Sequence, residues 1–151
     1  QEGGLRPGTE NVPYLAGLGE ACAMALEDVE EEGARQARLR ERLENGLGTI
    51  GRPHMVFGLG AERLPGTLMA GFHHVSAGEI LSGLAELGVG ASGGAACHAG
   101  KTRFSHVLEA MRADKGYAGG AIRFSFGRGV ETGDMDELLT RLARVLTSLN
   151  D

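Results

Sequence analysis

The sequence predicts an α/β domain of the α+β type, in which a small, mostly antiparallel sheet is covered by helices. Its 151 residues are the usual length of one domain. A hydrophobic fraction of 42% and a charged fraction of 23% are typical of a globular protein, not of a disordered or fibrous one. Helical and strand patterns follow one another in the order α, β, β, α, β, α, β, α, which favours a sheet with helices packed on it.

A long helix is predicted over residues 12–47. Apolar residues recur there at intervals of three and four, and Asn45 with Gly46 provides a C-terminal stop. We expect the apolar stripe of this helix to lie in the core, including Leu15, Leu18, Cys22, Ala25, Leu26, Val29, Leu39 and Leu43. The acidic run at 27–32 is expected to be a solvated face that pairs one turn away with Arg35, Arg38, Arg40 and Arg42.

The later elements are shorter. Strands are predicted over 54–57, 67–75, 89–92 and 121–126, and helices over 77–87 and 104–113. The sequence SAGE at 76–79 is a capping box, and Thr132 is the predicted cap of a last helix. The 26 glycines predict tight turns and close backbone approaches. We therefore expect a loop over 1–11, a long helix over 12–48 and an α/β domain over 49–151.

The charge and the cysteine content of the chain restrict which binding partners and which cellular compartment we expect. With 20 acidic against 15 basic residues, the net charge is −5, which argues against nucleic acid or an anionic membrane as a partner. The two cysteines show no CxxC spacing and no signal peptide is evident, so we expect a reducing compartment, the cytoplasm or an organellar matrix. The chain starts inside a loop and not at a methionine, which indicates a piece of a longer polypeptide.

Cys97 is the first candidate for chemistry. It lies among small residues in the sequence GGAACHAGK at 93–101, and His98, Lys101 and Arg103 are its potentially cationic neighbours. Cationic surroundings and exposure lower the pKa of a thiol and make it nucleophilic, and a mobile loop can carry its sulfur to a substrate. The alternative is an ordinary small residue in a tight glycine-rich turn.

Arg123 is the second candidate. It stands between Ile122 and Phe124 in an apolar strand pattern. Such an arginine either extends to the edge of the sheet or holds a planar anion such as a carboxylate through two hydrogen bonds.

Other patterns carry less weight. The sequence GVGASG at 88–93, with Asp114 beyond it, matches a dinucleotide-binding fingerprint, but it follows a predicted helix where the fingerprint requires a strand. His54, His73 and His74 are interpreted as packed or surface residues, and no metal site is expected because no zinc-ligand spacing appears.

Four motifs, taken in order, resemble the C-terminal part of the cysteine desulfurases and selenocysteine lyases, which are pyridoxal-phosphate enzymes of the class V aminotransferase family. The motifs are RPGTEN at 6–11, ASGGAACH at 91–98, SHVL at 105–108 and IRFSFGR at 122–128. The resemblance covers essentially the whole chain. It implies the small C-terminal domain of a fold-type I enzyme, preceded by a helix that links it to a large domain.

The resemblance also implies roles for single residues. Cys97 falls at the position of the family's catalytic cysteine and Arg123 at that of the arginine that binds the substrate α-carboxylate. Thr9 resembles the threonine that reaches the cofactor phosphate of the neighbouring subunit in a homodimer, and His98 and Arg6 are possible supporting residues. The implied reaction converts L-cysteine to L-alanine and leaves a persulfide on Cys97.

The chain also departs from the family pattern. Its lysines, Lys101 and Lys115, do not correspond to the family's Schiff-base lysine, which lies in a His-Lys pair on the large domain, so we expect this chain alone to be inactive. The sequence LPGTLM at 64–69 has Gly66 and Met69 where the family carries asparagines. Two alternatives stay open: a selenocysteine lyase that releases selenide, and a non-catalytic module that docks a sulfur-acceptor protein or the missing N-terminal half.

Overall fold

The structure, a computed structural model, describes residues 2–5, 8–93 and 105–149. The chain divides into two compact units, Gln1–Glu32 and Gly33–Asp151. In chain order, the elements after a short 3-10 turn at Glu2–Gly4 are α1 (Val12–Leu47), β1 (His54–Val56), β2 (Thr67–Phe72), α2 (Ala77–Glu86), β3 (Ser92–Gly93), α3 (His106–Ala110), α4 (Lys115–Ala118), β4 (Ala121–Ser125) and α5 (Thr132–Ser148). None of the helices described is long and apolar enough to span a bilayer.

The first unit consists of the short turn and the first 21 residues of α1, and the prediction of its burial is wrong. Cys22 is exposed, and so are Leu15, Leu18, Leu26 and Val29. The helix has the predicted bounds, but within this chain its apolar stripe is buried only at Leu39, Leu43 and Leu47. Periodicity predicted the helix because it is a local property, whereas burial depends on what lies opposite the stripe.

The second unit contains the predicted antiparallel sheet. Its four strands lie in the order β1-β2-β4-β3, and every pair is antiparallel. Thr67 of β2 pairs with Ser125 of β4, and Ser92 of β3 pairs with Arg123 of β4. β4 is therefore an inner strand with a neighbour on each side.

One face of the sheet packs on helices to form the main core. The inward residues of β2 and β4 pack with the C-terminal turns of α1 and with the helices α2 and α5. The fully enclosed side chains are Leu43, Leu47, Leu68, Phe72, Ile80, Leu84, Ile122, Leu142 and Leu146. A smaller cluster, Phe57, Leu108, Ala118 and Ala121, brings α3 and α4 into contact with the strands. The two clusters together leave part of the second sheet face uncovered.

Capping interactions are present at the N-termini of α2 and α5. The capping box of α2 is confirmed, because the Ser76 amide donates to Glu79 Oε2 at 3.1 Å and the Ser76 hydroxyl accepts from the helix backbone. The cap of α5 is Glu131, not Thr132, and the Glu131 amide donates to Asp134 Oδ2 at 2.7 Å. A carboxylate at this end is also favoured by the helix dipole.

Three short elements differ from the sequence prediction. β3 lies at Ser92–Gly93 instead of 89–92, because its position depends on pairing with β4. The predicted helix over 104–113 is shorter, His106–Ala110, and a separate helix, Lys115–Ala118, follows it. The Asp114 side chain caps this extra turn by accepting from the Gly116 amide at 2.7 Å.

Gly66 is required by a close backbone approach. Its carbonyl accepts the Phe126 amide at 3.0 Å, and a Cβ added here would lie 2.7 Å from the Phe126 carbonyl oxygen and would also overlap the Gln36 side chain. We expect Gly66→Ala to lower the free energy of unfolding in urea by about 1–3 kcal/mol. Gly129→Ala is the matched control, since an added Cβ there meets nothing within 4 Å, and equal stability of the two variants would contradict this packing.

Two arginines of α1 reach distant elements. Arg42 donates to both carboxylate oxygens of Asp136 in α5, at 2.8 and 2.7 Å, and Arg35 donates to the carbonyls of Gly127 and Val130. These contacts attach α1 to the start of α5.

The Arg42–Asp136 pair makes a pH-dependent contribution to stability. Hydrogen bonds from Arg42 lower the pKa of Asp136 below its ordinary 3.8. A lowered folded-state pKa stabilises the fold above pH 3.8, and that stabilisation is lost as the pH falls through the folded-state value. We therefore expect the difference in urea stability between the wild type and Asp136→Asn to shrink below about pH 4. A difference that stays constant down to about pH 2 would contradict the assignment.

Candidate active site

Arg123 lies on the sheet face opposite the main core. Along β4 the side chains alternate, so that Ile122 and Phe124 are buried while Arg123 and Ser125 are exposed. Within the part of the chain that the structure describes, the side chain of Arg123 has no hydrogen bond or ion pair. Its guanidinium is therefore available to a planar anion, for which two parallel N–H donors are the natural partner.

Two neighbours flank Arg123 across the sheet. Met69 of β2 and Ser92 of β3 are its register partners on either side. Residues directly opposite one another project on the same face with Cβ atoms roughly 5 Å apart. Met69 is half-buried against the smaller apolar cluster, and Ser92 is also half-buried. An anion bound at Arg123 would thus lie between a thioether and a hydroxyl.

Cys97 and His98 lie outside the described residues, but the chain leading to Cys97 starts at this site. Ser92 and Gly93 pair with Arg123 and Ile122, and Cys97 follows Ser92 by five residues. A fully extended chain spans at most about 3.6 Å per residue, so covalent connection alone limits the Ser92–Cys97 Cα separation to roughly 18 Å. Because Ser92 pairs with Arg123, this limit also restricts how far Cys97 can lie from Arg123.

Ser105 begins the next described segment. It is 5% exposed, and its hydroxyl is buried without a hydrogen-bond partner among the described residues. Its carbonyl accepts the Glu109 amide at 2.9 Å as α3 begins. An unpaired buried hydroxyl costs about 1–3 kcal/mol, so Ser105 marks a position where a polar partner is needed.

Thr9 belongs to the first unit, Gln1–Glu32. It is exposed and precedes α1, where the Asn11 side chain accepts the Tyr14 amide at 3.3 Å. The Thr9 hydroxyl has no hydrogen bond within the described ranges. Arg6 lies outside those ranges.

Two of the described residues offer groups that suit anions. A phosphate is held by several N–H and O–H donors together, and an exposed, unpaired threonine hydroxyl is one such donor. Lys115, the lysine within the described ranges, is in the short helix α4. Thr9 therefore offers a donor that suits a phosphate, and Arg123 offers a pair of donors that suits a carboxylate.

The glycine pattern at 88–93 does not form a dinucleotide site. It follows α2, and Gly88 has the positive φ of 75° that ends a helix. A cleft of about 290 Å³ lies beside it, but Asp134 and Glu137 line its wall, and Arg141 is already paired with Glu137 and the Leu87 carbonyl. Carboxylates at this position repel a pyrophosphate.

Two of the described histidines are in ring contact with each other. His73 and His74 have ring centroids 3.8 Å apart, and His73 also contacts the Tyr117 ring at 4.8 Å. Among residues 2–5, 8–93 and 105–149, no group of three potential ligands is positioned to hold a metal ion.

The sequence model of the aminotransferase class-V family matches residues 1–138. The chain belongs to the class V aminotransferase family.

Within this family, the relatives it resembles are cysteine desulfurases. The cysteine desulfurase of Gluconacetobacter diazotrophicus is 41% identical, covering 100% of this chain and 38% of that protein. That of Bradyrhizobium diazoefficiens is 37% identical, covering 99% and 38%. Among solved structures, a NifS-like protein from Rickettsia africae matches with a TM-score of 0.83 at 26% identity, covering 97% of this chain and 38% of that one. Another NifS-like protein matches at 0.80 and 31% identity, covering 97% and 37%.

The chain therefore spans less than two fifths of the length of these relatives. The expected fold, a partial region of a class V aminotransferase with a small antiparallel sheet, is confirmed.

Proposed function

We propose that the chain is the segment of a pyridoxal-phosphate-dependent cysteine desulfurase that binds the substrate carboxylate and carries the sulfur-accepting cysteine. The observation that carries this proposal is the exposed Arg123 guanidinium, which has no partner among the described residues and lies on β4 beside the strand that leads to Cys97. The cysteine desulfurase relatives support L-cysteine as the substrate.

Arg123 binds the α-carboxylate of the amino acid. Its planar fork donates two parallel hydrogen bonds, which fixes both the position and the orientation of the carboxylate. Because β4 has paired neighbours on both sides, the backbone that carries Arg123 is held on both edges. A substrate held in this way is presented to a nucleophile in a fixed position.

Cys97 accepts the sulfur. Its thiolate bonds to the substrate sulfur as the bond from that sulfur to Cβ breaks; the electron pair stays with Cβ and a proton completes the methyl group of alanine. The product on the protein is a persulfide. Bound pyridoxal phosphate supplies the electron sink for this chemistry. His98 and Arg6 support the site, and Thr9 contacts the cofactor phosphate, across the subunit interface of a homodimer.

The test uses a chimeric desulfurase, in which this chain replaces the matched segment of the Gluconacetobacter diazotrophicus enzyme. With pyridoxal phosphate and L-cysteine, we expect one alanine per sulfur transferred and one additional sulfur atom on the Cys97 peptide by mass spectrometry. Selenide release from L-selenocysteine, with no sulfur added to Cys97 from L-cysteine, would favour a selenocysteine lyase. A folded chimera that takes up no cofactor would favour a non-catalytic module that docks a sulfur-acceptor protein or a complementary chain.

A further inference from the structure

The sheet face that carries Arg123 is covered by α4 at one end. Gly71 and Ala121 are register partners on this face. Ala121 is buried in the smaller apolar cluster, and a Cβ added at Gly71 would lie 2.5 Å from the Tyr117 carbonyl oxygen, so α4 lies directly on this end of the strands. Met69 and Arg123 form the next pair along the same face. Met69 therefore lies at the margin of the covered end, directly beside the arginine.

The Met69 side chain is held from the covered end. It is half-buried and packs against the smaller cluster, which contains Phe57 and Leu108. Residues directly opposite one another in an antiparallel pair have Cβ atoms roughly 5 Å apart, so Met69 is within reach of the methylene stem of Arg123. An arginine stem packs along apolar surface while its charged head stays in water. Support of the stem reduces the conformational entropy that Arg123 loses when it binds an anion.

The chemistry of this face leaves the guanidinium without a strong competing acceptor. The sulfur of methionine is a weak hydrogen-bond acceptor, whereas a carboxylate or an amide oxygen at position 69 would accept from the guanidinium. The other strand residues that project on the same face include no acidic residue: Met55, Thr67, Gly71, Ser92, Ala121 and Ser125. The strands therefore place no negative charge beside Arg123 that would compete with a bound carboxylate.

We propose that Met69 is a positioning residue for Arg123: it supports the arginine stem and keeps a strong acceptor away from the guanidinium, so that both parallel donors face the substrate carboxylate. This inference deepens the proposed function and rests on it for the identity of the anion. The pairing of Met69 with Arg123 rests on the strand register alone.

The first test measures substrate binding in the chimeric desulfurase. Met69→Ala removes the apolar support, and we expect the KM for L-cysteine to rise about fivefold while kcat stays within about twofold, because a less ordered arginine must be fixed on binding. Met69→Leu keeps an apolar side chain of similar volume and should return the KM to within about twofold of the unmodified chimera.

The same change without the arginine shows whether Met69 acts through it. In an Arg123→Ala background, Met69→Ala should change the KM by less than about twofold, because a positioning residue has no effect once the group that it positions is absent. An effect of Met69 that came only from packing would persist in this background. Cofactor content and thermal unfolding identify any variant that fails to fold.

The second test needs no catalysis and uses this chain by itself. Met69→Glu introduces a carboxylate opposite Arg123, and its titration is followed by NMR with labelled glutamate. We expect its pH midpoint to lie at least about half a pH unit below that of the Met69→Glu and Arg123→Ala double variant, because a nearby cation favours the charged form. Met55→Glu is the matched control: Met55 is 37% exposed on the same face and two strands from Arg123, so Arg123→Ala should leave its midpoint unchanged.

Two results would overturn the proposal. Equal midpoints with and without Arg123 would show that the side chains at positions 69 and 123 do not meet. A KM effect of Met69→Ala that persists in the Arg123→Ala background, or a KM that Met69→Ala leaves unchanged, would show that Met69 does not position the arginine. Failure of the proposed function is a separate result, since it appears as an unmodified chimera that puts no sulfur on Cys97, and the titration decides the Met69–Arg123 contact in either case.

Discussion

Replacing Cys97 with serine in the chimeric desulfurase should abolish transfer of sulfur to the protein. A serine hydroxyl is a far weaker nucleophile at neutral pH than a thiolate and is less able to bond to sulfur, so alanine formation should fall by at least about a thousandfold. Cofactor content and L-cysteine binding should be unchanged, because Arg123 and Thr9 remain. The measurements are alanine release and the mass of the peptide that contains residue 97.

The control for this variant is Cys22→Ser, which removes the other thiol of the chain. It should retain sulfur transfer. Unchanged alanine release in Cys97→Ser would remove Cys97 from the role of sulfur acceptor, and loss of activity in both variants would show that the effect is not specific to position 97.

Replacing Arg123 with alanine should raise the KM for L-cysteine by at least roughly 30-fold. Loss of one partner of a charge-assisted pair costs about 2 kcal/mol or more, and this carboxylate has no other cationic partner among the residues beside Arg123 on the sheet. Arg123→Lys should recover part of the affinity but not all, because an ammonium cannot donate the two parallel hydrogen bonds of a guanidinium.

Arg144→Ala is the matched control for Arg123, since it removes an exposed arginine from α5. The KM of this variant should stay within about twofold of the unmodified chimera. If Arg123→Ala shows the same KM for L-cysteine as Arg144→Ala, then the carboxylate is bound elsewhere.

Much of the fold could be predicted because its patterns are local. The apolar strand pattern around Ile122 and Phe124 predicted β4, and the last helix was predicted to begin near Thr132, where α5 begins. α4 was not predicted, because its four residues include Gly116 and are too few to show a period. The burial of Cys22 was mispredicted because a stripe does not reveal what covers it.

The candidate site could be predicted only in part for a related reason. Arg123 is conspicuous in the sequence as a charge inside an apolar strand. Its neighbours Met69 and Ser92 are separated from it by 54 and 31 residues, and only the strand register brings them together. No local pattern encodes such a register.

The strand order has a consequence for how the protein is made. β4 is the inner strand between β2 and β3, yet it comes last of the four along the chain. During synthesis, β2 and β3 each keep an unpaired edge until residues 121–125 have been made. The pairing of β4 with β2 then closes a long stretch of chain, which is slow. The edge of β2 is then open to aggregation, and any product that ends before β4 lacks Arg123, the proposed carboxylate-binding residue. Arg123 lies on the same strand that completes the sheet, so the proposed carboxylate site can form only when the sheet does.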